Sequence, residues 1–283
     1  MVIWYLLTMR NLFLLLFAIC IKSTFAVSAL DLFTFEDSFD CNDKFPHHSY
    51  CTAVNVKPWK EEEKTLVRNY LSMLKSEKLD HFYNTIKEKG IHKFHRIEYG
   101  ARWYNDHANR KVLFSRSSDN ALLWVNPVTK MIGFSDRFFD NEQRSDPYSP
   151  LPKKALNVFH ELVHNFDIAQ DHISNNPQVQ KAIGWIWNGK DFVIEGLDHA
   201  KAKNDFDELI KLSKDGYRQL SYNLMREKGI ELGLPSLYST FNTHECFAEI
   251  LTHYIFDPHA KNYLSEQVQS VLDDVVLNYS KGQ

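Results

Sequence analysis

The chain has 283 residues, 44% of them hydrophobic and 24% charged, which is the make-up of an ordinary globular protein with enough length to bury a real core. A net charge of −3 argues against a nucleic-acid footprint. The 20 Phe and 13 Tyr are read as core filling.

Residues 1–26 carry no acidic residue. Arg10 precedes an apolar run from Leu12 to Ile21, and Thr24-Phe25-Ala26 ends in a small residue, the pattern of a secretory signal peptide cleaved after Ala26. Met9 is an alternative start. A membrane anchor is the competing reading, but Lys22 ends the apolar run too early for a comfortable span. A lipoprotein signal ending at Cys20 is weaker, because Ile19 is large for its position. No later stretch is long and apolar enough to cross a bilayer, so the expected location is extracellular, or periplasmic in a bacterium.

Removal of this segment leaves Cys41, Cys51 and Cys246. In an exported chain Cys41 and Cys51 are expected to pair, closing a local loop in an arm that spans residues 27–57. Metal binding by these two with His47 and His48 matches no usual zinc spacing. Cys246 reads as a buried thiol.

From Pro58 the pattern turns helical, in a single domain expected to run over 58–283. Pro58 suits a first helical position, and Glu61, Glu62 and Glu63 suit a first turn with a solvated face. Leu66, Val67, Tyr70, Leu71 and Leu74 form the apolar stripe. A second helix carries Leu79, Phe82, Tyr83 and Ile86 and stops at Gly90. Residues 92–99, 111–116, 121–125 and 130–139 are rich in β-formers and predict a small, mostly antiparallel sheet. Asn126 to Thr129 reads as a turn between two of these strands, and His92, His95 and His107 as surface groups.

A proline-punctuated loop, 145–152, delivers the chain to Pro152–Gln170. Here Ala155, Phe159, Leu162, Val163 and Phe166 recur at helical spacing. His160 and His164 stand four apart, on one side of that helix, with Glu161 beside the first. In this H-E-x-x-H pattern two imidazoles grip a divalent metal and the carboxylate reaches a water on it. A solvated His/Glu face spells the same letters, but bulky apolar flanks make the helix buried, where three ionisable groups are costly unless paired or metal-bound. Asp167 extends the polar stripe and could hold a ligand histidine by its second nitrogen.

A polar loop follows, then 178–188 with Trp185 and Trp187, then one or two helices over 199–228. Phe247, Ile250, Leu251, Tyr254 and Ile255 mark another buried helix, capped by Asn242 or Thr243. Glu245 and Glu249 lie four apart on it. A catalytic zinc needs three protein ligands and an open position, and Glu245 is the choice for the third. Glu249 would brace a ligand histidine, and the Tyr238 phenol could point at the metal-bound oxygen. His244, His253 and His259 are competing candidates.

These pieces resemble the catalytic domain of the anthrax lethal factor-like zinc peptidases, a group that includes secreted Pro-Pro endopeptidases. The likeness rests on His160-Glu161-Leu162-Val163-His164, on Asp167, on Tyr238 seven residues before Glu245, and on Glu245-Cys246-Phe247-Ala248-Glu249. It covers about residues 58–280 and is strong only at the motifs. It implies an α+β, mainly helical zincin-like domain. It also implies one zinc per chain on His160, His164 and Glu245, with Glu161 as general base and Tyr238 donating to the transition state. The implied activity is that of a secreted, toxin-like, gluzincin-type zinc endopeptidase, acting as a monomer on an extended peptide laid against the strand at 130–139. Val163 stands where many members have Gly, the segment from Asn165 to His244 is longer than theirs, and the arm has no counterpart. A zinc-binding protein that recognises peptides without cutting them, and an amidase of cell-wall peptides, remain the alternatives.

Overall fold

The computed structural model describes residues 32–37, 56–97, 102–106, 111–115, 123–126, 131–140 and 144–278. The signal segment, Cys20, Cys41, Cys51 and the turn at 127–129 lie outside them. The described chain is α+β, dominated by helices with one small sheet on one side.

Helix α1 (Glu61–Met73) begins three residues after Pro58, with the Lys60 N–H donating to the Glu63 carboxylate at 3.2 Å. Glu63 is not on a solvated face as its acidic neighbours suggested. It is buried and pairs with Arg96 at 2.9 Å. Arg96 also meets Asp136 at 2.5 Å, so one guanidinium ties the helix to the sheet and to the turn beyond it. Helix α2 (Asp80–Glu88) buries Phe82, Tyr83 and Ile86, and Gly90 follows it at φ 66, the left-handed exit a glycine makes without strain.

The sheet contains β1 (Thr34–Glu36), β2 (Val56–Lys57), β3 (Lys93–Ile97), β6 (Leu123–Asn126) and β7 (Met131–Phe134), in the order β1-β3-β7-β6 with β2 on the far end of β3. A separate antiparallel pair, β4 (Arg102–Asp106) and β5 (Lys111–Ser115), fills the connection. β4 carried no clear sequence signal.

Three expectations change here. The sheet is mixed rather than mostly antiparallel, because β1 and β7 both run parallel to β3 while β2 and β6 run antiparallel to their neighbours. Period-two patterning marks a strand but carries no information on its direction. The arm is not separate from the domain: β1 and β2 belong to this sheet, and Phe33 stacks on Phe94 at 4.7 Å. The strand in 130–139 ends at Phe134, a 3-10 turn covers Asp136–Phe139, and β7 is enclosed between β3 and β6. Among the described residues the sheet ends on one side at β6, the other arm of the β6–β7 hairpin, and on the other side at β1.

Helix α3 (Lys153–Ala169) is the centre of the core. It packs against α1, α2, β6 and α7 (Thr243–Phe256). Phe82 stacks on both Phe159 (5.1 Å) and Phe166 (4.7 Å), and Phe256 meets Phe159 edge-on at 4.8 Å. Between α3 and α7 come α4 (Pro177–Ala182), the β8–β9 hairpin (Trp185–Trp187 with Phe192–Ile194), α5 (His199–Lys214) and α6 (Arg218–Glu231). Two short helices, α8 (Ala260–Tyr263) and α9 (Glu266–Val271), follow α7.

Gly229 on α6 permits one tight approach. A Cβ there would lie 2.3 Å from the backbone of Ser236, where two non-bonded atoms cannot fit. No helix of the described residues is long and apolar enough to cross a membrane.

Candidate metal centre

Two helices supply the site. On α3 the apolar face buries Phe159, Leu162, Val163 and Phe166, which turns His160 and His164 together towards α7. On α7 the Asn242 side chain accepts the Glu245 N–H at 2.9 Å, and this cap fixes the first turn that carries the Glu245 carboxylate. The outcome is a triangle of atoms. His160 Nε2 lies 3.0 Å from Glu245 Oε2, His164 Nε2 lies 3.3 Å from the same oxygen, and the two Nε2 atoms are 3.1 Å apart.

That triangle fits a metal ion. A tetrahedral ion bonded at about 2.0–2.1 Å has ligand atoms roughly 3.3 Å apart. Three ligand-type atoms at this spacing enclose the space of one tetrahedral ion. His160, His164 and Glu245 could therefore hold a metal ion. The local electrostatics point the same way. Burial raises the Glu245 carboxyl, but hydrogen bonds to His160 and His164 outweigh it and hold the group well below the usual carboxylate range. Burial lowers His160, and pairing with Glu245 and Glu249 overrides this and lifts it to about 10.

Glu161 is half-buried beside the triangle. Burial raises its pKa; the nearby His164 and His160 and the Val125 N–H of strand β6 hold it down only in part. The side of β6 that does not pair with β7 thus faces this carboxylate. A carboxyl poised above its ordinary range is suited to taking up a proton near neutrality.

The Oε1 of Glu249 lies 3.2 Å from His160 Nδ1, the nitrogen that faces away from the triangle, and its Oε2 accepts the Ser236 hydroxyl at 2.5 Å. A carboxylate on the second nitrogen fixes the ring and its tautomer. Asp167 differs from expectation. Its carboxylate bonds the Ser174 N–H (2.7 Å), the Ser174 hydroxyl (2.9 Å) and His244 Nδ1 (2.9 Å), with His172 Nδ1 at 3.6 Å. It does not brace a histidine of the triangle, because the chain after α3 folds back and brings Ser174 and His172 over it.

Tyr238 sits on a 3-10 turn, Leu237–Thr240, with its hydroxyl against Glu245. Burial and the carboxylates of Glu245, Glu161 and Glu249 push its pKa far up, so it stays a protonated donor. Phe241 (5.1 Å) and Phe206 (6.0 Å) flank its ring.

Of the competing histidines, His244 turns to Asp167 and His259 has its place after α7. His253 is fully buried behind Glu249, 3.8 Å from its Oε2. Cys246 is buried as expected, and burial pushes its thiol up to about 12.

Behind the site lies a charged knot that the sequence reading missed. Arg226 is fully buried, with Asp146 3.2 Å from its Nε and Asp257 2.7 Å from its terminal nitrogen. It also donates to the Pro235 carbonyl, and its guanidinium lies over the Tyr148 ring at 5.2 Å. Tyr222 donates to Asp146, and Tyr263 to Asp257 at 2.9 Å. This knot pins Pro235 and hence the segment carrying Ser236 and Tyr238. A lone Arg in a polar helix and a lone Asp in a loop gave no sign of it.

No family model, no curated protein and no solved structure matches this chain. The functional reading rests on the two motifs and on the geometry above.

Proposed function

We propose that the protein is a zincin-like zinc endopeptidase related to the lethal factor-like group. The observation that carries the reading is the convergence of His160, His164 and Glu245 within 3.0–3.3 Å, with Glu161 beside them. Two imidazoles and one carboxylate with an open fourth side is the ligand set of a catalytic rather than a structural zinc. Bound there, zinc would supply a Lewis acid that polarises a peptide carbonyl and makes a water acidic.

The residues then divide the work. Glu161 takes the proton of the attacking water and passes it to the leaving amine, a transfer its raised pKa favours. Tyr238, kept protonated, donates to the oxyanion that forms on the carbonyl. Glu249 holds His160 by Nδ1, and Ser236 holds Glu249. An extended peptide would add to β6 rather than to β7, because of the two terminal strands among the described residues β6 is the one that meets Glu161, through Val125. Residues 1–26 extend the proposal to an exported enzyme.

The test is incubation of the purified mature chain with a peptide library, with and without chelator. Cleavage that a chelator stops and that Glu161→Gln lowers by about 10²–10⁴-fold, with metal still bound, supports the reading. A zinc-loaded chain that cuts no peptide leaves the recognition alternative, and cleavage of cell-wall peptides alone leaves the amidase.

A further inference from the structure

One turn along the same two helices a second group of ligand-type side chains converges. Asp167 lies three residues past His164 on α3, and His244 is the neighbour of Glu245 on α7. His172 completes the group from the loop after α3, and the three ligand atoms all lie within 4.8 Å of one another. The Asp167 carboxylate is almost fully buried, while His172 and His244 are 48% and 41% exposed, so the opening to solvent is lined by the two imidazoles.

Hydrogen bonds explain Asp167, Ser174 and His244 in this cluster. They leave His172 unexplained. Its Nδ1 stands 3.6 Å from Asp167 Oδ2, too far for a hydrogen bond, yet the ring is aimed there, 5.4 Å centroid to centroid from the His244 ring. The backbone that aims it is a left-handed helix exit, in which the His172 N–H donates to the Asp167 carbonyl at 2.7 Å. Asp171 (φ 52) and His172 (φ 64) are successive non-glycine residues in the left-handed region. Such a conformation persists where the surroundings impose it and concentrates at ligand sites.

We propose that Asp167, His172 and His244 form a second metal site, separate from the first, that takes one divalent transition-metal ion such as zinc or cobalt. The Asp167 Oδ2 separations from His244 Nδ1 (2.9 Å) and His172 Nδ1 (3.6 Å) bracket the roughly 3.3 Å edge of a tetrahedral site. Ser174 Oγ, 2.8 Å from His244 Nδ1, offers a fourth oxygen on the same side. Two nitrogens and a carboxylate oxygen select a transition metal over magnesium or calcium, which take oxygen. The ion would clamp the C-terminal turn of α3 to the first turn of α7, the two segments that carry His164 and Glu245. This goes beyond the peptidase reading and does not depend on it.

The experiment is titration with Co2+ alone, read by equilibrium dialysis and by visible absorption. With the first site disabled by His164→Ala and Glu245→Gln, the chain is expected to bind one equivalent with the absorption of nitrogen-ligated cobalt. Adding His172→Ala should weaken that binding at least about tenfold. Adding His244→Ala should abolish it. The intact chain should bind two equivalents and its His172→Ala variant one. Among the described residues the half-exposed His172 side chain makes no hydrogen bond, so this single variant keeps the fold and serves if the multiple variants do not. No cobalt on a folded chain with the first site disabled overturns the proposal, as does binding to the intact chain that His172→Ala leaves unchanged. Cobalt bound at this site but not at the triangle would uphold it while defeating the peptidase reading.

Discussion

Two buried polar clusters lie close together in this molecule, and they solve opposite problems. Around Arg226 the chain supplies its own cation, and Asp146, Asp257, Tyr222, Tyr263 and the Pro235 carbonyl close around it. At the triangle Glu245 meets two imidazole nitrogens, and no Lys or Arg among the described residues pairs with it. In the first cluster a side chain of the protein occupies the centre. In the second the centre is a space between two ring nitrogens and a carboxylate oxygen, of the size one ion fills. Burial alone therefore does not distinguish a structural ion network from a ligand site; the difference lies in what occupies the centre.

The contrast can be broken in several ways. Glu161→Gln touches neither the ligand triangle nor the knot. It is expected to lower peptide cleavage by about 10²–10⁴-fold while bound zinc and the unfolding midpoint stay unchanged. Arg226→Met should cost stability, and cleavage with it, because the knot pins the segment carrying Tyr238. Two carboxylates lose their partner at 0% exposure, and unfolding in urea should show a loss of about 3–5 kcal/mol. Gly229→Ala forces a methyl into the Ser236 backbone and should cost about 1–3 kcal/mol in the same assay, with Tyr238 displaced.

Acid should weaken the knot side as well. Burial and the nearby Arg226 lower His253 to about 3, so in this region the unfolded chain, with an ordinary histidine, binds the extra proton. Its contribution is full above about pH 6.5 and is lost as pH falls towards 3. From pH 6.5 to 5 this one group is expected to remove about 2 kcal/mol, seen as a falling urea midpoint. Asp146, held below its usual range, despite burial, by Arg226 and the Tyr222 hydroxyl, adds to the loss only below the ordinary aspartate pKa. The smallest effect is reserved for Glu249→Gln, which keeps shape and removes charge behind His160. Zinc affinity should drop by about 10–100-fold with little change in fold.

The parts of the site legible in the sequence are those that share one helix. His160, Glu161 and His164 announce themselves because a four-residue spacing within an apolar stripe leaves few other geometries. The cap of α7 was legible as Asn242 or Thr243, and the Asn242 side chain makes it; Glu245 stands on a different helix, and it was singled out by the need of a catalytic zinc for a third ligand rather than by spacing. Arg226, Ser236 and His253 were not, since each acquires its meaning from residues far along the chain: Arg226 from Asp257, Ser236 from Glu249. Asp167 was placed on the right face and given the wrong partner, because the left-handed turn at Asp171 and His172 brings in Ser174 from outside the helix. Strand direction failed likewise. The family resemblance made β7 the edge that takes a peptide, and the parallel pairing with β3 that encloses it is a property of the whole fold.

The central claim is that two imidazoles and a distant carboxylate meet at one ion. Anomalous diffraction at the zinc edge from crystals of the zinc-treated protein tests it directly. The account predicts a peak about 2.0–2.2 Å from His160 Nε2, His164 Nε2 and a Glu245 carboxylate oxygen. Zinc-treated crystals with no peak among those three atoms, or with Glu245 turned away from the two rings, would contradict it.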